Sequence, residues 1–151
     1  MAENNLLNTW KCCHEDNKAR RNFKNKVNNI MKKTTTETRI YRTEMNEKIL
    51  NSGFKDFNKF FALDNKAYLD GALPSKTKEL MGLVASMVLR CNDCIFYHID
   101  RSIQEGATRE ELYETFNIAL IVGGSIVIPH LRYAFEMMEK IFEESSGSSS
   151  S

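Results

Sequence analysis

Downstream of Thr34 the apolar residues recur at intervals of three and four. Phe54, Phe57, Phe60 and Phe61 are spaced in this way, as are Leu80, Leu83, Val84, Met87 and Val88. So are Leu112, Phe116, Ala119 and Leu120, joined by Thr115, and finally Leu131, Ala134, Phe135, Met138 and Phe142. Such spacing predicts helices with one apolar face each. Around Glu79–His98 no strand-and-turn alternation interrupts it. The phenylalanine stripe is expected to lie in the core, as aromatic residues at helical spacing usually do.

Punctuation between the runs supplies the predicted boundaries. Thr34-Thr35-Thr36 is a linker and N-cap region for a helix opening at Glu37 and ending near Ser52-Gly53. The stretch 69–75, LDGALPS, breaks the pattern, and Ser75 is the expected N-cap of the next helix. Cys91 continues that helix's apolar phase, which predicts a buried side chain. From there two paths are open. Asn92 or Asp93 caps a new helix with Cys94 in its first turn, or one helix runs unbroken through Arg90 to Asp100. Further on, Thr108-Arg109-Glu110-Glu111 reads as a capping box. Gly123-Gly124 ends that helix or permits close backbone approach, and Pro129 suits the first turn of the last one.

Length and charge change this picture little. A chain of 151 residues with a formal charge of +1 fits one domain able to bury a core without metal or disulfide staples. Its charge is uneven: residues 1–36 carry eight Lys/Arg against three Asp/Glu, and residues 37–151 carry thirteen against seventeen. Phe23, Val27, Ile30 and Met31 predict a helix over about 17–32 that packs on the main body or on a second subunit. So modest a basic excess, without a recognition motif, does not point to nucleic acid. No apolar run approaches the roughly 20 residues of a membrane span, and the polar N-terminus lacks a signal-peptide core, so a cytoplasmic protein is expected. The tail Ser145–Ser151 is Ser and Gly alone and is expected to be disordered.

The candidate chemistry sits in cysteines. Cys12-Cys13, followed by His14, reads as an incidental cluster rather than a zinc site, since further ligands at suitable spacing are missing. Neither a metal nor a cofactor is expected. Cys91 and Cys94 are three residues apart and His98 follows by one turn, so on a helix the three share a stripe. Two thiols beside a potential base suit redox or nucleophilic chemistry. The helical surroundings argue against a thioredoxin setting, in which this motif follows a strand. Glu79 lies twelve residues before Cys91, ~18 Å along a straight helix. It reaches the thiols only if the chain folds back or a neighbouring protomer supplies it. His130, after Pro129, is expected to be structural or interfacial.

Glu79, Cys91, Cys94 and His98 together, spaced E-x11-C-x2-C-x3-H, resemble the alkyl hydroperoxidase D-like branch of the carboxymuconolactone decarboxylase family. The likeness runs over roughly residues 37–142 through Asp70-Gly71-Ala72-Leu73, Gly106-Ala107-Thr108 and Gly123-Gly124. It implies an all-α, compact multi-helix bundle over 37–143, with 1–36 a basic, partly helical extension and 144–151 a disordered tail. It also implies a trimeric or hexameric homo-oligomer. In function it implies a thiol-disulfide oxidoreductase, peroxidase-like, acting on a peroxide or disulfide and reset by a dithiol reductant. Cys94 would be the attacking thiolate, Cys91 the resolving thiol, and His98 with Glu79 a proton relay. Members with peroxidase activity often carry histidine where this chain has Asp93, and a carboxylate beside Cys94 tends to raise the thiol's pKa. Two other functions are compatible with the resemblance. One is the lactone decarboxylation that names the family, which needs no C-x-x-C pair. The other is a catalytically weak helical oligomerisation module.

Overall fold

The structure, a computed structural model, describes residues 34–147. The helix expected over 17–32, the Cys12-Cys13-His14 cluster and residues 148–151 lie outside the described residues. The chain divides into two compact units, Met1–Thr43 and Glu44–Ser151. The described residues form α1 (Thr35–Leu50), α2 (Lys55–Ala67), α3 (Ser75–Val88), α4 (Asn92–Gln104) and α5 (Arg109–Gly123). A 3-10 turn (Ser125–Val127) then leads into α6 (Ile128–Gly147). No strand occurs among them, so the fold is all-α.

Local chemistry sets most boundaries. Thr34 Oγ1 accepts the Glu37 amide N–H at 3.1 Å and the Glu37 carboxylate accepts the Thr34 N–H at 2.8 Å. This capping box starts α1 at Thr35, two residues ahead of the expected Glu37. The Thr108–Glu111 box opens α5 as the sequence predicts, with bonds of 3.2 and 2.8 Å. Gly123-Gly124 does both things expected of it. Gly124 ends the helix at φ 72°, and Gly123 has no room for a Cβ against the Val127 side chain. Ser75, in contrast, is not the cap of α3. Pro74 holds that position, and the Asp70 carboxylate reaches forward to accept the Ser75 N–H at 2.7 Å.

In the unit Glu44–Ser151 one core lies among α3, α4, α5 and α6. Leu83 and Met87 meet Ile95, Phe96 and Ile99, with Leu112, Phe116 and Ala119 from α5 and Val127, Ala134 and Met138 closing the cluster. Leu131 and Phe142 are partly buried against it. Phe135 departs from the expected stripe of α6. It is 44% exposed and stacks on Tyr113 at 5.7 Å, while Met137 and Ile141 take inward places. A helix of 3.6 residues per turn drifts against any fixed spacing, so the inward face passes from one set of positions to the next. α6 also runs past its expected end to Gly147. The Ser145 and Ser146 hydroxyls donate to the Ile141 and Phe142 carbonyls, each at 2.9 Å, which lets serine continue the helix.

The phenylalanine stripe is the largest departure. α2 buries no residue, and Phe54 and Phe60 are 54% and 68% exposed. Periodicity records that one face is apolar; it does not say what covers that face.

Lys76 of α3 and Glu111 of α5 form an ion pair at 2.7 Å. The hydrogen bond from Lys76, followed by that from the Thr108 backbone, holds the Glu111 carboxyl below its ordinary 4.5. A carboxyl whose folded pKa is depressed stabilises the fold above its unfolded pKa, and that contribution fades as pH falls through the folded value. Replacing Glu111 with Gln should therefore lower Tm at pH 7 and lower it much less at pH 3, as thermal melts of both proteins at both pH values would report. An equal difference at the two pH values would refute the coupling.

Candidate active site

The site is built on a break. α3 stops at Val88, and Arg90 takes a left-handed φ of 61°, uncommon for a residue with a Cβ. The Arg90 N–H still reaches the Met87 carbonyl at 3.1 Å, and the Cys91 N–H reaches the Ser86 carbonyl at 3.0 Å. The chain thus doubles back, and α4 begins at once. Of the two paths open in the sequence, the broken helix is the one taken.

Cys91 is itself the N-cap of α4, a role expected of Asn92 or Asp93. Its Sγ accepts the Cys94 N–H at 3.3 Å. The expectation of a buried Cys91 is overturned, because the break ends the apolar phase of α3 and leaves the residue half-buried at a helix start. Cys94, also half-buried, sits in the first turn, where the positive end of the helix dipole favours a sulfur anion. The two cysteines are joined as a disulfide with their Cα atoms 5.3 Å apart.

Folding back also removes the ~18 Å separation that a straight helix would impose. Glu79 of α3 faces His98 of α4 within one chain: the Glu79 Oε2 accepts from His98 Nδ1 at 2.7 Å. The pair is desolvated, Glu79 being 1% and His98 8% exposed. With the proton on Nδ1 engaged by the carboxylate, Nε2 is the nitrogen free to take or give one. His98 follows Cys94 by one helical turn, a spacing that puts side chains on one face. The disulfide and the imidazole are thereby strung along α4, and Glu79 reaches the ring from α3. Asp93, between the cysteines and in the first turn, is exposed.

Four further residues belong to this site. Gly82, one turn after Glu79, lies so close beneath the imidazole that a Cβ there would stand 2.6 Å from Cε1, 2.8 Å from Nε2 and 2.9 Å from Nδ1. The rings of Tyr68 and Tyr97 flank His98 at 5.3 and 5.2 Å. Arg101 places Nε 3.8 Å from the second oxygen of Glu79, while its outer nitrogens bind Gln104 and Glu105. A half-open cavity of about 480 Å³, lined in part by Tyr68, Asp70, Glu79, Tyr97, Arg101 and Glu105, lies beside the pair. Burial, and then the Glu79 carboxylate, push the Tyr68 hydroxyl above its ordinary pKa, so it remains a hydrogen-bond donor. Gly82 and Arg101 stand three residues after Glu79 and His98, so their spacing was a usable signal. Tyr68 lies beyond α2 and gave none.

His130 of α6 is placed against the thiol turn: its Nδ1 donates to the Asn92 Oδ1 at 2.8 Å. Among the described residues no three His, Cys, Asp or Glu side chains converge as metal ligands. No described helix is long and apolar enough to cross a membrane.

Fold and site define a helical protein with a C-x-x-C pair at a helix start and a buried Glu–His pair one turn on. Comparison with known proteins gives this class its family. Residues 57–139 match the sequence profile of the carboxymuconolactone decarboxylase family, and the chain belongs to that family. A family member of known structure from Thermotoga maritima, for which an involvement in the antioxidative response has been suggested, is 52% identical. It superposes with a TM-score of 0.71 over 74% of this chain and 95% of its own. A second, from Legionella pneumophila, is 30% identical, with a TM-score of 0.66 over 71% of this chain and 96% of its own. The uncharacterized protein 4 in the cox locus of Paracoccus denitrificans is 30% identical over 82 residues, 54% of this chain and 74% of the relative.

Proposed function

We propose that this protein is a thiol-disulfide oxidoreductase of the alkyl hydroperoxidase D-like branch, with peroxidase-like activity carried by Cys91 and Cys94. The observation that carries the proposal is the closed Cys91–Cys94 pair at the start of α4, one turn from the buried Glu79–His98 pair. In the reduced enzyme the Cys94 thiolate attacks the outer oxygen of a hydroperoxide. The O–O bond breaks, the leaving alkoxide takes a proton from His98 and departs as an alcohol, and Cys94 becomes a sulfenic acid. The Cys91 thiol gives its proton to His98 and attacks the Cys94 sulfur as a thiolate; the S–O bond breaks, the leaving hydroxide takes that proton from His98 and departs as water, and the disulfide closes. A dithiol reductant restores both thiols by two exchange steps and is itself oxidised.

The N-cap geometry bears on the reset of the pair. A reductant attacking Cys94 expels Cys91, whose sulfur already accepts the Cys94 N–H; a thiolate stabilised in this way leaves faster. Glu79 fixes the tautomer and orientation of His98, the role a carboxylate commonly has behind a working imidazole. The antioxidative association suggested for the Thermotoga maritima relative agrees with the reading. The test is consumption of an organic hydroperoxide by the reduced full-length protein in the presence of a dithiol donor. Turnover over many equivalents is expected. Absence of turnover with both peroxides and disulfides would refute the proposal and favour an oligomerisation module.

We further propose a cytoplasmic homo-oligomer, a trimer or hexamer, in which residues 37–143 form the working domain. The exposed face of α2, with Phe54, Phe57, Phe60 and Leu63, supports assembly, because exposed aromatic rows of this kind commonly mark contact surfaces. Sedimentation at micromolar concentration should show an assembly, and Phe60→Glu should shift it toward the monomer. A monomeric wild type would contradict this.

A further inference from the structure

We propose that His130 is a positioning residue for the Cys91–Cys94 couple, acting through Asn92; the inference rests on the redox reading above and extends it. Asn92 is the first residue of α4 and stands between the two thiols, so its side chain moves with the turn that sets their separation. Its Oδ1 can only accept, so His130 Nδ1 carries the hydrogen across the 2.8 Å contact. Both the neutral Nδ1–H ring and the imidazolium supply that hydrogen. His130 in turn is fixed at the start of α6, directly after Pro129. The thiol turn is therefore tied to an element that is not part of the α3–α4 hairpin.

The tie matters most in the reduced state. While the disulfide is closed, the S–S bond itself holds the turn. Once it opens, hydrogen bonds hold the turn, among them the Cys91 N–H on the Ser86 carbonyl, the Ile95 N–H on the Cys91 carbonyl, the Cys94 N–H on Cys91 Sγ, and His130 on Asn92. The residue just before them, Arg90, sits at φ 61°. Such a conformation persists only where neighbouring contacts over-determine it. Removing the His130 contact lets the first turn of α4 open, the thiols spread, and their effective concentration toward each other falls. Disulfide formation in the pair then becomes less favourable.

The test equilibrates the full-length protein with oxidised and reduced glutathione. In that exchange the pair loses two hydrogens to form its S–S bond as one oxidised glutathione becomes two thiols. The fraction of Cys91–Cys94 disulfide is read by peptide mass after acid quenching. His130→Ala should lower the equilibrium constant about tenfold, a potential about 30 mV more oxidising. His130→Asn, whose amide nitrogen overlays Nδ1, should restore it to within about threefold, since the donated hydrogen bond is retained. Asn92→Ala should match His130→Ala, and the double variant should add nothing, as expected of two partners in one contact. Constants within about twofold of wild type in both single alanine variants, an additive double variant, or no rescue by Asn would each overturn the inference while leaving the redox reading intact. A wild-type pair that never equilibrates with glutathione would overturn both.

Discussion

Cys94→Ser should abolish hydroperoxide turnover, and Cys91→Ser should fail differently. Without Cys94 the attacking sulfur is gone and serine, a far weaker nucleophile at neutral pH, cannot replace it. Turnover should drop to the rate of the donor alone. Without Cys91 the first attack survives, and Cys94 accumulates as a sulfenic acid or as a mixed disulfide with the donor. One equivalent of peroxide is then consumed rapidly before the reaction slows. Stopped-flow peroxide consumption separates these outcomes. A burst from Cys94→Ser and none from Cys91→Ser would reverse the two roles. That reversal would assign the attack to the sulfur that accepts the Cys94 N–H in the structure.

Gly82→Ala should have the second largest effect, and its sign separates two accounts of this glycine. In a helix interior alanine is better than glycine by about 1 kcal/mol, so on propensity alone the change stabilises. The new Cβ, however, would stand 2.6 Å from the His98 ring, and the imidazole must move. Moving it costs the 2.7 Å bond to Glu79 and leaves a carboxylate that is 1% exposed without its partner. Overpacking costs about 1–3 kcal/mol, and stranding one member of a buried pair about 3–5 kcal/mol. Together they exceed the propensity gain. Stability should therefore fall by about 2 kcal/mol after partial relaxation. Turnover should fall by about 100-fold, the low end of what a positioned proton-transfer group contributes. A variant with raised Tm and wild-type turnover would mean that His98 can shift without consequence, and that the Glu79–His98 pair has no part in the chemistry.

The parts of the fold legible in the sequence are those decided within a few residues. The Thr108–Glu111 box, the stop at Gly123-Gly124 and the placement of Pro129 near the start of α6 depend on local hydrogen bonding and backbone freedom. What escaped depends on distant partners. The apolar row of α2 reads like a core stripe and lies exposed, since spacing cannot tell a core from a contact surface. Phe135 looks inward by spacing and instead covers Tyr113.

For the site, the E-x11-C-x2-C-x3-H spacing named the candidate residues through the family resemblance, whereas the sequence left open whether the chain bends to bring Glu79 to His98. Helix breaks are ordinarily marked by Gly or Pro, and here Arg90 takes the left-handed conformation without either. The same break explains why Cys91 continues the apolar spacing of α3 and yet is the cap of α4. Gly82 carried a readable signal, a residue without a side chain one turn after an acid and between Met81 and Leu83. Its meaning depended on knowing which ring would lie against it.

The central claim is that Cys91 and Cys94 form a working dithiol–disulfide couple, and peptide mass measurement tests it most directly. The fully reduced protein is treated with one equivalent of hydroperoxide, quenched in acid, alkylated and digested. The account predicts loss of two hydrogens confined to the peptide carrying Cys91 and Cys94, reversed by a dithiol, with Cys12 and Cys13 still alkylated. Unchanged thiols at Cys91 and Cys94, or oxidation that falls instead on Cys12 and Cys13, would contradict it.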